Sequence, residues 1–151
     1  MNKKIAAILL LLYSVFGGGI LNYINIDIKP EPVAEILSIE KPSKKILDTV
    51  SPIASLVTDP DDRSKIAIFN YEFAERVIGY ETSSQQINDV YALAGKTFFK
   101  QTLVDKYEGL SEGIVSIMEK VLTDENHIVT NDEKNELHKH FMGLAWSLIN
   151  G

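Results

Sequence analysis

The run TDPDDRSKIAIFNYEFAERVIGY, residues 58–80, decides the fold. Asp59 is an N-cap residue, and Pro60 follows at the first helical position, where a missing N–H costs nothing and φ is already set. Asp61 and Asp62 add negative charge at the positive end of the helix dipole. Beyond them Ile66, Phe69, Phe73, Ala74 and Val77 recur at helical spacing and fall on one face. Start signal and periodicity agree, so the stretch predicts a helix that runs to about Tyr80 and buries that face.

The flanking sequence repeats the pattern. Thr82–Ser83–Ser84 offer caps for a helix carrying Ile87, Val90, Tyr91, Ala94 and Phe98, with room to continue to Val104. Asp105 to Gly109 reads as a turn, and Ser111 as the cap of a helix with Ile114, Ile117, Met118 and Val121 on one face. Thr130 and Glu133 form a T-x-x-E capping box ahead of a last helix bearing Leu137, Phe141, Leu144, Ala145 and Leu148, closed by Gly151. On the other side, SKKILDTV from Ser43 is amphipathic. Ser51 and Pro52 then look like the cap and first position of a second piece, PIASLV; a kinked helix and two short ones fit equally well. With no repeat at a fixed period, residues 43–151 are expected to form an all-α domain, a bundle of four or five helices.

What precedes Ser43 decides where such a bundle would work. Lys3 and Lys4 are followed by IAAILLLLYSVFGGGILNYINI, 22 residues from Ile5 to Ile26 without a charge. As a helix the run would be about 33 Å long, enough to cross a hydrocarbon core of about 30 Å. It has no polar face between Ile5 and Phe16, so a buried helix of a soluble protein is the poorest fit. A cleavable signal peptide fits better, with Gly17–Gly18–Gly19 as the small-residue cleavage region. The missing A-x-A site, and an uncharged run that continues through Ile20, Leu21, Tyr23, Ile24 and Ile26, favour retention as a signal-anchor transmembrane helix. The lysines would then keep the N-terminus cytoplasmic, with Asn22, Tyr23 and Asn25 at headgroup level. Either way the remainder is expected on the far side of the membrane. Ser14 and Gly18 have the small-xxx-small spacing of contacts between membrane spans.

Residues 27–42, DIKPEPVAEILSIEKP, carry Pro30, Pro32 and Pro42, which bar a continuous helix and push each preceding residue toward extended backbone. They read as a stand-off tether. Val33 to Ile39 is apolar enough for one or two helical turns, or a short strand, that docks onto the domain or a partner.

All 21 acidic residues lie at or beyond Asp27, against 13 of the 15 basic ones, a net charge of −8 past the apolar run. That sign opposes nucleic-acid binding, which requires the neutralisation of phosphates. It also opposes a domain lying flat on an anionic leaflet. The absence of cysteine excludes thiol catalysis, thiolate metal sites, disulfides and lipid attachment at a signal-peptide junction. About 110 residues are enough for one domain with its own core, and too few for two.

No catalytic or cofactor signature emerges. His138 and His140 are two apart and point away from each other on a helix. Asp132, Glu136 and His140 align at i, i+4, i+8 as a carboxylate–imidazole face, which a solvated helix surface explains equally without a metal. The loop DENHIVTNDE, with Asp124, Asn126 and Glu133 as conceivable calcium ligands, is two residues short of an EF-hand loop and lacks its glycine. Gly95–Lys96–Thr97 has no glycine five residues before it and falls inside a helix, so it is not a phosphate-binding loop. Were the chain a hydrolase, Glu136 and His140 would be the least unsuitable pair.

One positive feature remains. Ile68, Tyr71, Leu93, Phe99 and Trp146 fall off the cleanest apolar stripes, and helices apolar around more than half their girth are either central or contact a partner. The expectation is a non-enzymatic interaction module, anchored through residues 5–26, that binds a protein partner or a second copy of itself, with no cofactor, metal or nucleic acid. A signal-cleaved, secreted helical binder or inhibitor is the alternative. The layout resembles that of phage lysis proteins with one N-terminal span and an extracytoplasmic domain, namely single-span holins and inner-membrane spanins. The resemblance is one of topology alone and implies a phage or bacterial envelope setting, periplasmic in a Gram-negative host. The short interrupted helices depart from the long coiled coils of spanins.

Overall fold

The structure, a computed structural model, describes residues 31–98, 106–122 and 127–151, and the side chains of 34–92, 106–122 and 127–151. The uncharged run of residues 5–26 lies outside the described residues, as do Ser14 and Gly18. Among the described residues the protein is all-α: α1 (Glu31–Leu37), α2 (Lys44–Ala54), α3 (Pro60–Val77), α4 (Ser84–Phe98), α5 (Leu110–Val121) and α6 (Asn131–Asn150). Within that set no helix is long and apolar enough to cross a membrane.

The capping signals at both ends of the core act as the local chemistry dictates. Asp59 is extended and its carboxylate accepts from the backbone N–H groups of Asp61 and Asp62, at 2.9 and 3.1 Å. Thr130 and Glu133 complete a capping box, the hydroxyl accepting from Glu133 N–H at 3.1 Å and the carboxylate from Thr130 N–H at 2.9 Å. These caps satisfy helix N–H groups that have no partner inside the helix.

The helices they start, α3 and α6, make the most extensive contact in the molecule. They run antiparallel: Arg63 reaches Leu148 at one end, and His138 reaches Ala74 at the other. Phe69, Phe73, Leu137, Phe141 and Leu144 are wholly buried between them and their neighbours. Phe73 meets Phe141 edge to face at 5.1 Å, and Tyr91 from α4 closes the cluster at 4.8 Å from Phe73. Edge-to-face pairs add about 0.5–1.5 kcal/mol each beyond the area they bury. The Tyr91 hydroxyl donates to the side-chain oxygen of buried Asn70 at 2.7 Å, and the Asn70 amide donates to Ile66 carbonyl at 2.7 Å. Burial pushes the Tyr91 phenol up, so it stays a neutral donor.

Arg63, in the first turns of α3, gathers two other helix ends. Its guanidinium donates to the carbonyls of Ala54 and Val57 after α2, at 2.8 and 2.6 Å, and to those of Ser147, Leu148 and Gly151 at the end of α6, at 2.9, 2.9 and 3.4 Å. All its N–H donors are thus committed to carbonyls at or just beyond helix C-termini.

Three local expectations are decided or corrected. Of one helix and two short ones, the Ser43–Val57 stretch takes the first: Ser43 caps α2 by accepting from Ile46 N–H, and Pro52 falls in its last turn, where the lost hydrogen bond is peripheral, so Ser51 and Pro52 do not start a second piece. Ser111 is not a cap. Gly109 occupies that position with φ of 86°, a left-handed conformation that favours glycine, and Leu110 is already helical and buried. The α3 helix stops at Val77 instead of Tyr80, closing through tight backbone bonds from Gly79 to Arg76 and from Tyr80 to Val77.

The first helix comes from the segment expected as a tether. From Glu31 that segment folds and docks against both α3 and α6, with Ile36 wholly buried. The Tyr71 hydroxyl donates to the Glu35 carboxylate at 2.5 Å.

Candidate functional site

The side chains weighed as ligands or catalysts are concentrated on α6 and just before it. His140 is expected on a solvated surface. It is instead 3 % exposed, and its Nδ1–H donates to the carbonyl of Glu136 at 2.7 Å, one turn back on its own helix. Because α6 is packed by α1, α2, α3 and α5, its buried face is wider than a single apolar stripe and takes in position 140. His138 is half-buried and donates through Nδ1 to Ala74 carbonyl at 2.7 Å, fastening α6 to α3. A carbonyl only accepts, so in both rings Nδ1 carries the proton. Glu136 Oε2 lies 4.0 Å from His140 Nδ1, while its other oxygen pairs with Lys139 at 3.5 Å. Asp132 is exposed at the start of the helix. The Asp132–Glu136–His140 line is therefore graded from solvent to core and does not converge. Among the described residues no group of three or more His, Cys, Asp or Glu is arranged to hold a metal ion.

Asp124 and Asn126 lie outside the described residues. Glu133 already serves the cap, and its Oε1 also meets His127 Nε2 at 2.7 Å. Burial alone would raise the Glu133 carboxyl. The backbone N–H of Thr130, the His127 ring and the Thr130 hydroxyl outweigh it and hold the group below the usual range. Backbone bonds from Ser84 to His127 at 3.2 Å and from Val129 to Thr82 at 3.0 Å tie this loop to the start of α4 through an isolated bridge, Ser83 to Ile128.

A second polar cluster lies at the opposite end of α3. Asp62 accepts from Tyr107 hydroxyl at 2.5 Å and from Lys106 Nζ at 2.9 Å. Those two bonds, Tyr107 first, hold its carboxyl below the ordinary range. Tyr107 also accepts from Asp59 N–H at 3.4 Å, so the cluster fastens the α4–α5 connection to the start of α3.

Among the described residues there is an open groove of about 300 Å³ between the α1–α2 connection and α6, lined by Ile39, Glu40, Pro42, Ile46, His138, Lys139, Met142 and Gly143. At its floor α6 approaches α2 closely at Gly143. A Cβ built on Gly143 would stand 2.5 Å from Ile46 Cγ2. A glycine in the middle of an otherwise strong helix was the sequence signal for that approach, since it forgoes helix propensity for no local reason.

Of the apolar residues expected in surplus, Ile68 is buried and Tyr71 half-buried against the core, because α3 is a central helix packed on more than one side. Trp146 is half-buried, and the side chains of Leu93 and Phe99 lie outside the described residues. Among the described residues the large apolar side chains that reach solvent are Leu37, Leu56, Ile78 and Ile128. No family model matches this chain, and comparisons with curated proteins and with solved structures return no match.

Proposed function

We propose that this chain is a membrane-anchored, non-enzymatic interaction module. Residues 5–26 form a single span, Lys3 and Lys4 stay in the cytoplasm, and the acidic helical domain on the far side binds a protein partner or a second copy of itself. The observation that carries the reading is the spacing between the two parts. Four residues, Asp27 to Pro30, separate the end of a 22-residue uncharged run from the first described helix of an all-α domain. A length of chain sized to a bilayer and joined this closely to a folded body describes a domain held at a membrane surface. The domain's polar clusters support the non-enzymatic part: Asp59, Arg63, Thr130 and Glu133 serve helix ends, while His138 and Asp62 fasten helices to one another. Of these groups His138 lines the open groove, with its Nδ1 already bonded to Ala74.

Fractionation of the full-length chain tests this, with carbonate washing and intact mass of the membrane fraction. Retention at full length is expected, followed by capture of a partner or a homodimer on crosslinking in the membrane. A soluble product beginning near Ile20 would replace the reading with that of a signal-cleaved secreted binder.

A further inference from the structure

The first described helix, α1, is lightly held over the part whose side chains are described. Of its side chains from Ala34 to Leu37, Ile36 alone is buried, and Leu37 is 55 % exposed. Its described polar contact with the body is a single bond at the surface, from Tyr71 hydroxyl to Glu35. That phenol sits among carboxylates, since Glu72 and Glu75 lie close enough for their charge to bear on it.

The C-terminal flank permits release. Pro42 stands in the connection that follows α1, which therefore does not run on into α2. The connection from Ser38 to Ser43 runs over the open groove, with Ser38, Glu40 and Lys41 exposed. The next helix does not need α1: Ser43 supplies its own cap to α2, and Val50, Ile53 and Ala54 bury α2 independently.

We propose that α1 is a releasable strap that sets how far the helical domain stands from the membrane, close in when docked and farther out when released. The proposal rests on the anchor reading above. With α1 docked, the chain from Ile26 to Glu31 spans at most about 17 Å; with α1 released, the chain from Ile26 to Lys44 spans up to about 60 Å. The same domain could then meet a partner lying against the bilayer in one state and one several tens of ångströms away in the other.

The absence of cysteine allows a direct test on the full chain. Ile36→Cys and Val50→Cys each place one thiol at a wholly buried position, in the strap and in α2. Under native conditions a water-soluble maleimide is expected to label position 36 faster than position 50 by about 100-fold or more, the signature of local over global opening. Tyr71→Phe in each background should speed labelling at 36 by several-fold and leave position 50 unchanged. Equal rates at the two positions would overturn the strap. A second measurement uses full-length chain in phosphatidylcholine–phosphatidylglycerol vesicles. Energy transfer from headgroup-labelled lipid to a dye on Ser116→Cys should weaken when Ile36→Asp releases the strap. An unchanged transfer would overturn the control of reach. Carbonate extraction of the same vesicles judges the anchor separately: a chain that washes off defeats that reading and the reach with it, and leaves the labelling rates to decide the strap.

Discussion

Helix α1 and the α3–α6 pair are attached to the same core by opposite means. Between α3 and α6, fully buried aromatic and aliphatic side chains interlock along the length of both helices, and polar ties secure both ends. At α1, among the described side chains, one isoleucine is buried and one surface hydrogen bond reaches the body. A fully buried isoleucine contributes about 1.5–3 kcal/mol relative to exposure, and a surface hydrogen bond about 1 kcal/mol. The comparison separates two ways of belonging to a domain. The α3–α6 pair stands or falls with the whole fold, whereas α1 belongs only while its few contacts outweigh the freedom of its backbone.

The largest expected effect falls on the pair. Phe141→Ala removes a wholly buried ring that touches Phe73 and Tyr91, and should lower unfolding free energy by about 3–5 kcal/mol in chemical denaturation. A cost as small as that of a strap substitution would break the contrast. Next is Arg63→Met, which keeps much of the stem but strips the donors from both helix ends. A loss of about 1.5–3 kcal/mol is expected, with faster amide exchange at the last turns of α2 and α6 together. Gly143→Ala forces a methyl against Ile46 and should destabilise by about 1–3 kcal/mol, despite alanine's better helix propensity, because Ile46 Cγ2 sits too near its own backbone to swing away.

For α1 the expected cost has a ceiling. Ile36→Ala cannot remove more than the free energy with which the strap is docked, since beyond that the strap stays undocked and the rest remains folded. Its effect on global unfolding should fall below the about 2–5 kcal/mol usual for a buried isoleucine, while exchange of the α1 amides rises sharply. A full-sized global cost would join α1 to the core and erase the difference between the two regions.

The smallest expected effect concerns Asp62. Its folded carboxyl is held below its ordinary value by Tyr107 and then Lys106, so its stabilisation is present above the unfolded pKa of about 3.8 and is lost as pH falls through the lower folded value. Tyr107→Phe should bring the carboxyl up toward its ordinary value. Protein and variant should then differ most at neutral pH and converge in strong acid, with a gap of about 1 kcal/mol or less. A gap that widened on acidification would contradict the assignment.

How much of this was legible beforehand follows the range of each interaction. Asp59–Pro60 and Thr130–Glu133 act within one turn, so the starts of α3 and α6 and their buried faces could be read from the sequence. Ser111 was misread for a related reason. It has the chemistry of a cap, but Gly109 already turns the chain in a left-handed conformation that gives no side-chain signal of its own. Arg63 was not legible because its partners lie up to 88 residues away. The burial of His140 likewise depends on which helices surround α6. The apolar content of Val33 to Ile39 announced that this segment could dock, and only the packed structure says where. For the candidate site, the sequence offered residue types without convergence: the geometry places Glu133 at a helix cap, His138 at a helix junction and His140 in the core.

The pairing of α3 with α6 also orders events in time. The two helices are separated in the chain by α4, α5 and their connections, and Arg63 finds its carbonyls only once Ser147 and Leu148 are present. During synthesis α3 therefore leaves the ribosome long before the helix that buries its aromatic face. Until then Phe69 and Phe73 have no α6 to meet, and a chaperone or a translocation channel would encounter an open amphipathic helix rather than a partly built core. A polypeptide exported as it is made would complete its fold only after passage, in a single late step set by the arrival of α6.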